Sequence, residues 1–245
     1  MATLQAHATD RAVVVVACSA LRDMLRSDAN RAACVSAGAP AVVVTTLRAH
    51  VSDSVIAAAA CNLVRNLAVT DAGSTACWSR GAPAAVIAVL QAQPSDSAVA
   101  AAACQAIRNL ACSEAGNAAC VSVGASAAVV VALRAHTSDN FVAAYAIEAF
   151  VNLAQSDKGK AACVSAGAPA AVVAALRAHV SDISIAAAAC NAFFAIAGSF
   201  VGKSACLSTG VHTAVIAAQK AHASDSAVQI AAQRCLGKLG FKVAT

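Results

Sequence analysis

The stretch Leu47 to Asp53 reads LRAHVSD; it recurs letter for letter at 176–182 and, as LRAHTSD, at 133–139. It gathers a His, a Ser and an Asp within four residues, the three side-chain types of hydrolase chemistry. Catalysis would require them to converge around a substrate, with the base oriented by the acid, and a tight corner repeated down a chain does not offer that. Gln93 also stands in the histidine column of one copy. The stretch therefore reads as a joint. His50 ends one helix, where a basic side chain meets exposed carbonyls, and Ser52 or Asp53 caps the next.

Working outward from the joint, the whole chain repeats. Gly-Ala-Pro or a variant begins at Gly38, Gly81, Gly124, Gly167 and Gly210, each 43 residues after the last. Cys34, Cys77, Cys120, Cys163 and Cys206 keep that step, as do Asp10, Asp53, Asp96, Asp139, Asp182 and Asp225. A fixed period of this length marks a stacked array. We expect one continuous domain over 1–245: a partial unit (1–27), then full units at 28–70, 71–113, 114–156, 157–199 and 200–242. Each unit parses into three helices. The first spans about Asn30 to Ser36 and stops before Gly38, which tolerates left-handed geometry. Pro40 opens the second at its first position, and the third runs from the Ser52/Asp53 cap to about Ala68. Gly73, Gly116, Gly159 and Gly202, with Asn30 in their column, read as turns between third and first helices.

Composition narrows the setting. The 245 residues are 60% hydrophobic, 12% charged and 3% aromatic, with a net charge of +5. Mean hydropathy is +0.70, yet apolar runs such as Ala12 to Cys18 and Val55 to Cys61 stop far short of the roughly 20 residues that span a bilayer. No membrane insertion is expected, and no charged-then-apolar leader suggests secretion. The modest, scattered charge argues against nucleic acid as a partner. Eleven cysteines in such a chain point to a reducing compartment, with the cytoplasm expected and the nucleus as the alternative.

Three helices in about 42 residues, a Gly-Ala-Pro opening to the second, and third helices ending CNLVRNLA (61–68) or CQAIRNLA (104–111) resemble the armadillo repeat. The resemblance implies an all-α, right-handed superhelix of stacked repeats whose third helices line a concave groove. It also implies binding of extended peptides or partner proteins rather than catalysis. The family's ladder of backbone-holding asparagines corresponds to Asn66, Asn109 and Asn152, and lapses at Asp23, Ala195 and Lys238. Importin-like members carry Trp four residues earlier; here those positions hold Asn62, Gln105, Glu148 and Asn191, which argues against nuclear-import adaptors. Trp78 falls in a first-helix column of Val and Leu and reads as core.

Helical periodicity locates the faces independently. Ile56, Ala57, Ala60, Cys61, Leu63, Val64 and Leu67 form one arc, expected to be buried. The opposite stripe, through Asn62, Arg65 and Asn66 and their equivalents, is expected to be exposed and mostly uncharged, suited to backbone hydrogen bonding. Ten of the twelve acidic residues stand at helix starts, where capping and the dipole explain them. Asp23 and Glu148 remain, both on the stripe. We expect a groove site centred on the third and fourth full units. Phe141, Tyr145 and Phe194 would serve as apolar anchors. Asn66, Asn109, Asn152 and Asn191, with Asn62 and Gln105 beside them, would bond a ligand backbone, while Arg65, Arg108 and Glu148 would read its charge.

No catalytic residues, metal ligands or cofactor are expected. Equivalent cysteines stand about one stack spacing, roughly 10 Å, apart, too far to share a zinc with its bonds of about 2.3 Å. Cys18, Cys61, Cys104 and Cys190 fall on the buried arc. CxxC, HExxH, GxSxG and phosphate-binding glycine loops do not occur. The opening MATLQAH reads as the tail of a second helix, so self-association through 1–27 or 225–245 is the competing expectation. In that reading the chain is a structural spacer working through its ends.

Overall fold

The computed structural model describes residues 6–7 and 9–241, all helices and connecting turns. Helix α1 (Arg11–Met24) comes first. Three helices then return every 43 residues: α2 (Asp28–Ser36), α3 (Ala39–Ala49), α4 (Ser54–Leu67); α5 (Asp71–Ser79), α6 (Ala82–Ala92), α7 (Ser97–Leu110); α8 (Glu114–Ser122), α9 (Ala125–Ala135), α10 (Asn140–Leu153); α11 (Asp157–Ser165), α12 (Ala168–Ala178), α13 (Ile183–Ile196); α14 (Phe200–Ser208), α15 (Val211–Ala221), α16 (Ser226–Leu239). The MATLQAH reading lies, but for residues 6 and 7, outside the described residues.

Each corner has a local cause. The first helices begin two residues earlier than their apolar pattern suggests, at Asp28 rather than Asn30. The Ser27 hydroxyl accepts the Asn30 N–H at 3.2 Å, and Thr70, Ser113, Ser156 and Ser199 repeat this N-cap in later units. This corrects the reading of Gly73, Gly116, Gly159 and Gly202 as turns: they lie inside the first helices, at the third position, and donate the capped N–H. Glycine is required there by a close approach. A Cβ on Gly73, Gly116, Gly159 or Gly202 would stand 1.9, 2.0, 1.8 and 1.8 Å from the carbonyl oxygen of Leu67, Leu110, Leu153 and Ile196.

First and second helices are separated by glycines in the left-handed region: Gly38, Gly81, Gly124, Gly167 and Gly210, with φ between +74° and +84°. The chain bends there by 75°, 72° and 69° in the first, third and fourth full units. The glycine itself is the N-cap, so Pro40, Pro83 and Pro169 take the second helical position rather than the first. That is equally harmless, since the first four N–H groups have no intrahelical acceptor. At the last corner Asp53, not Ser52, is the cap. Its Oδ1 accepts from Val55 and Ile56 at 3.1 Å each, and Asp96, Asp139, Asp182 and Asp225 cap likewise.

Like packs on like along the stack: α1 on α4, α4 on α7, α7 on α10, α10 on α13 and α13 on α16, with first and second helices forming their own rows. This is an all-helical solenoid. The third-helix row carries most of the core; the expected arc from Ile56 to Leu67 is buried throughout. Ala57, Ala60, Ala100, Ala103, Ala143, Ala146, Ala186 and Ala189 are all buried in it, and their small side chains let neighbouring helices approach closely. Phe150 and Phe193 supply bulk. Trp78 is only half-buried against this core, and its indole N–H is unpaired among the described residues.

The joint that opened the sequence also ties unit to unit. His136, His179 and His222 donate from Nε2 to the carbonyls of Pro94, Thr137 and Val180 in the preceding joint, at 3.0, 2.7 and 2.8 Å. Gln93 donates from Nε2 to the Val51 carbonyl at 3.0 Å. An amide can replace an imidazole there because the position needs only one N–H donor. A second tie is buried: Asn117 donates to the Asn152 and Leu153 carbonyls at 2.8 and 3.1 Å and accepts from the Ser156 hydroxyl. At the N-terminal end Arg11 pairs with Asp53 at 2.5 Å, joining the partial unit to the first full one.

Two outcomes follow. An exposed helix interior normally prefers Ala to Gly by about 1 kcal/mol, but Gly116→Ala should destabilise the protein, and by more than Gly124→Ala. The latter has open space around it and meets only the left-handed backbone penalty of about 1–2 kcal/mol. Urea unfolding followed by circular dichroism compares them; equal stability of Gly116→Ala and the parent would refute the close approach. Second, ten of the eleven cysteines are buried and Cys112 is exposed. Burial pushes the thiols of Cys61, Cys77, Cys104, Cys120, Cys190 and Cys206 up to about 12 and that of Cys163 to about 11. A maleimide at neutral pH should add one label to the folded protein, lost in Cys112→Ser; rapid labelling of several sites would contradict the packing.

Candidate binding groove

The polar stripe of the third helices forms a continuous lining, and each expected residue can be placed on it. Asn62, Arg65, Asn66, Asn109, Tyr145, Glu148, Asn152, Asn191 and Phe194 are partly exposed, while Arg108 and Phe141 are exposed. Gln105 is not: it is buried, as is Ala102 beside it. Arg65 donates from Nη1 to Gln105 Oε1 at 2.6 Å, and its Nε and Nη2 reach Asn66 Oδ1 at 3.2 and 3.1 Å. Gln105 thus lines the depression beside Tyr145 with little exposed surface, its amide oxygen held by a cation of the preceding unit.

The asparagine ladder is also engaged within the stack. Asn109 donates from Nδ2 to the Arg65 carbonyl at 2.9 Å, and Asn152 does the same to the Arg108 carbonyl at 2.8 Å. These are carbonyls in the last turns of the preceding third helices, which lack intrahelical donors. Asn152 Nδ2 also donates to Cys112 Sγ at 3.2 Å, whereas Asn109 keeps a second N–H for other use. Asn62 bonds back to the Ala58 carbonyl at 3.0 Å. Asn191 makes no hydrogen bond with its side chain among the described residues.

The charge readers are paired. Arg108 Nε and Glu148 Oε2 stand 3.0 Å apart with both side chains partly in solvent, so their net reading of a ligand's charge is largely cancelled. Asp23, the other unexplained acid, pairs with Arg26 at 3.1 Å.

The aromatics do not form one cluster. Phe141 and Tyr145 stack with ring centroids 6.3 Å apart, and Phe141 is 67% exposed. On one side of this pair lies a depression of about 350 Å³ reaching Asn62 and Arg65; on the other, one of about 650 Å³ reaches Asp139, Glu148, Asp182 and Ser184. Phe194 lies further along, in a groove segment of about 910 Å³ with Arg108, Lys160, Asn191, Arg234 and Lys238. Its ring is covered by cations: the Arg234 guanidinium is 4.6 Å and the Lys238 ammonium 5.6 Å from the centroid. Phe194 is thus a platform for positive charge, not an apolar partner of Tyr145.

Arg234, Lys160, Asp139 and Asp182 were absent from the expected site. Arg234 was legible, since it continues the Asn62, Gln105, Glu148, Asn191 column by one more period. Lys160 was not: it reaches the groove from a first helix, its Cε lying 3.1 Å from where a Cβ on Gly198 would stand.

Among the described residues no group of three or more His, Cys, Asp or Glu could hold a metal ion. No single helix among them is long and apolar enough to cross a membrane.

No protein-family model matches the chain, and no curated protein matches it. Solved structures do. One crystal structure of an engineered protein superposes with a TM-score of 0.84 at 24% identity, over 95% of this chain and 94% of the other. A second engineered protein gives 0.85 at 25% identity, over 97% and 93%. A structure from work on a phosphorylation switch in the interaction between cadherin and beta-catenin gives 0.79 at 17% identity, covering 97% of this chain and 44% of that one. The fold is that of helical repeat solenoids.

Proposed function

We propose that this chain is a non-enzymatic interaction module of the armadillo kind, one continuous domain whose third-helix groove holds an extended peptide or partner segment. The observation that carries the reading is the Phe141–Tyr145 pair: two stacked rings on a stripe of mostly small and polar residues, one of them two-thirds exposed. Exposed aromatics flanked by polar groups are the usual anchors of binding sites. The free amide of Asn191 and the second N–H of Asn109 stand ready for a ligand backbone. The likeness to a structure concerned with cadherin and beta-catenin supports the same reading, as do free thiols for a cytoplasmic or nuclear setting.

A second reading has its own observation. Between α1 and α2 lies an apolar depression of about 710 Å³, lined by Val13, Val16, Leu21 and Met24, with Val16 69% and Met24 53% exposed. Such a surface favours association through the end of the array, as a spacer would need.

Selection from a randomised peptide display library tests the first reading. Enriched peptides should bind the parent protein and lose about tenfold or more in affinity with Phe141→Ala/Tyr145→Ala, while the helical signal stays unchanged. Peptides that bind both proteins alike would sink the groove site. Sedimentation tests the second: a concentration-dependent dimer or polymer abolished by Val16→Lys would support it, and a monomer at every concentration would dismiss it.

A further inference from the structure

The groove changes sign along its length. On the side of Phe141 and Tyr145 that faces α13 the lining carries three carboxylates, Asp139, Glu148 and Asp182, and no cation; Arg65 lies on the opposite side of the pair, held by Gln105 and Asn66. Around Phe194 the lining carries four cations, Arg108, Lys160, Arg234 and Lys238, and one carboxylate, Glu148. The two segments share Glu148 and Ser184, so they are continuous. The Arg108–Glu148 pair sits at the junction and leaves the outer charges of each segment uncancelled.

Each segment also has an aromatic surface matched to its sign. An exposed ring stacked on a partly exposed one beside carboxylates forms a receptor for a cationic side chain, which is attracted both to the ring faces and to the acids. On the other side the ring of Phe194 already holds Arg234 and Lys238 in place. Both cations are exposed, and neither is in an ion pair among the described residues. Cations fixed over a ring lose less side-chain freedom when an anion arrives. Lys160 is paired, at 2.8 Å, with Asp157, whose side chain is 92% exposed and lies outside this lining.

Resting on the peptide reading above, we infer that the ligand is a charge-polarised extended peptide, with an Arg or Lys against Phe141–Tyr145 and its carboxylates, and an Asp or Glu against Arg234 and Lys238. Phe141 and Tyr145 stand on α10 and Arg234 and Lys238 on α16, two repeats apart and so about 20 Å by ordinary helix spacing. Extended chain advances roughly 3.3 Å per residue, so the opposite charges stand about six residues apart in the ligand. Exposed charges are screened, so binding weakens as salt rises.

The test is the charge pattern of peptides selected from the randomised library, with the parent protein and with Arg234→Glu/Lys238→Glu and Phe141→Leu/Tyr145→Leu. The substituted side chains are on the surface, and circular dichroism checks that folding is intact. The inference expects enrichment of a basic and an acidic residue in constant order and spacing. The charge reversal should remove the acidic preference and weaken a selected peptide about tenfold, and the leucine pair should relax the basic preference. Selected peptides with no charge order, yet dependent on Tyr145, overturn the inference and leave the peptide site standing. No selected peptide at all overturns both. Displacement of selected peptides by an equal concentration of oligothymidylate overturns it in favour of nucleic acid.

Discussion

The structure depends on one close contact: the last turns of α4, α7, α10 and α13 close against the first helix of the next unit where only a hydrogen atom fits. At Gly73, Gly116, Gly159 and Gly202 a methyl group would overlap the carbonyl of Leu67, Leu110, Leu153 or Ile196. That contact fixes the distance and angle between units, and the rest follows from the spacing it sets. The alanines of the third-helix row can then touch across the stack, and the His and Gln joints reach the carbonyls of the joint before. In a solenoid each unit is stabilised only by its neighbours, so an error at this corner would be felt by the whole row.

The same tight stacking shapes the groove. Bringing third helices close together exposes last-turn carbonyls of one helix to side chains of the next, and Asn109 and Asn152 answer by donating to them. Arg65 covers Gln105, and Arg108 meets Glu148, for the same reason: equivalent stripe positions on successive helices are near enough to pair. Polar groups that a single helix would offer to a ligand are partly satisfied inside the protein. What remains available is the Phe141–Tyr145 pair, the Asn191 amide and the cations above Phe194.

Legibility in the sequence followed the range of each interaction. Capping, left-handed glycines and the buried arc are decided within one helix or turn, so Gly38 and the arc from Ile56 to Leu67 are legible in the sequence, and the third-helix cap is narrowed to Ser52 or Asp53, of which Asp53 serves. Boundary errors were small and local: the Ser27 cap begins its helix two residues early, and Pro40 moves one position. The misread glycines are different in kind. Leu110 and the Ser113 cap lie only just before Gly116 in the chain, yet the close approach that makes glycine necessary exists only once the corner between α7 and α8 is folded. The role of the histidine column as a tie was hidden in the same way, since its acceptor lies 42 residues away.

By itself, then, the sequence determined the period, the three helices of each unit, their caps and corners, and which arc of the third helix is buried, because these depend on residues within a few turns of one another. Only the tertiary structure decided which stripe residues are free. Whether Gln105 is covered, whether Arg108 meets an acid, and whether Phe194 faces Tyr145 or the cations of α16 depend on distances between side chains on neighbouring helices, and the stack sets those distances.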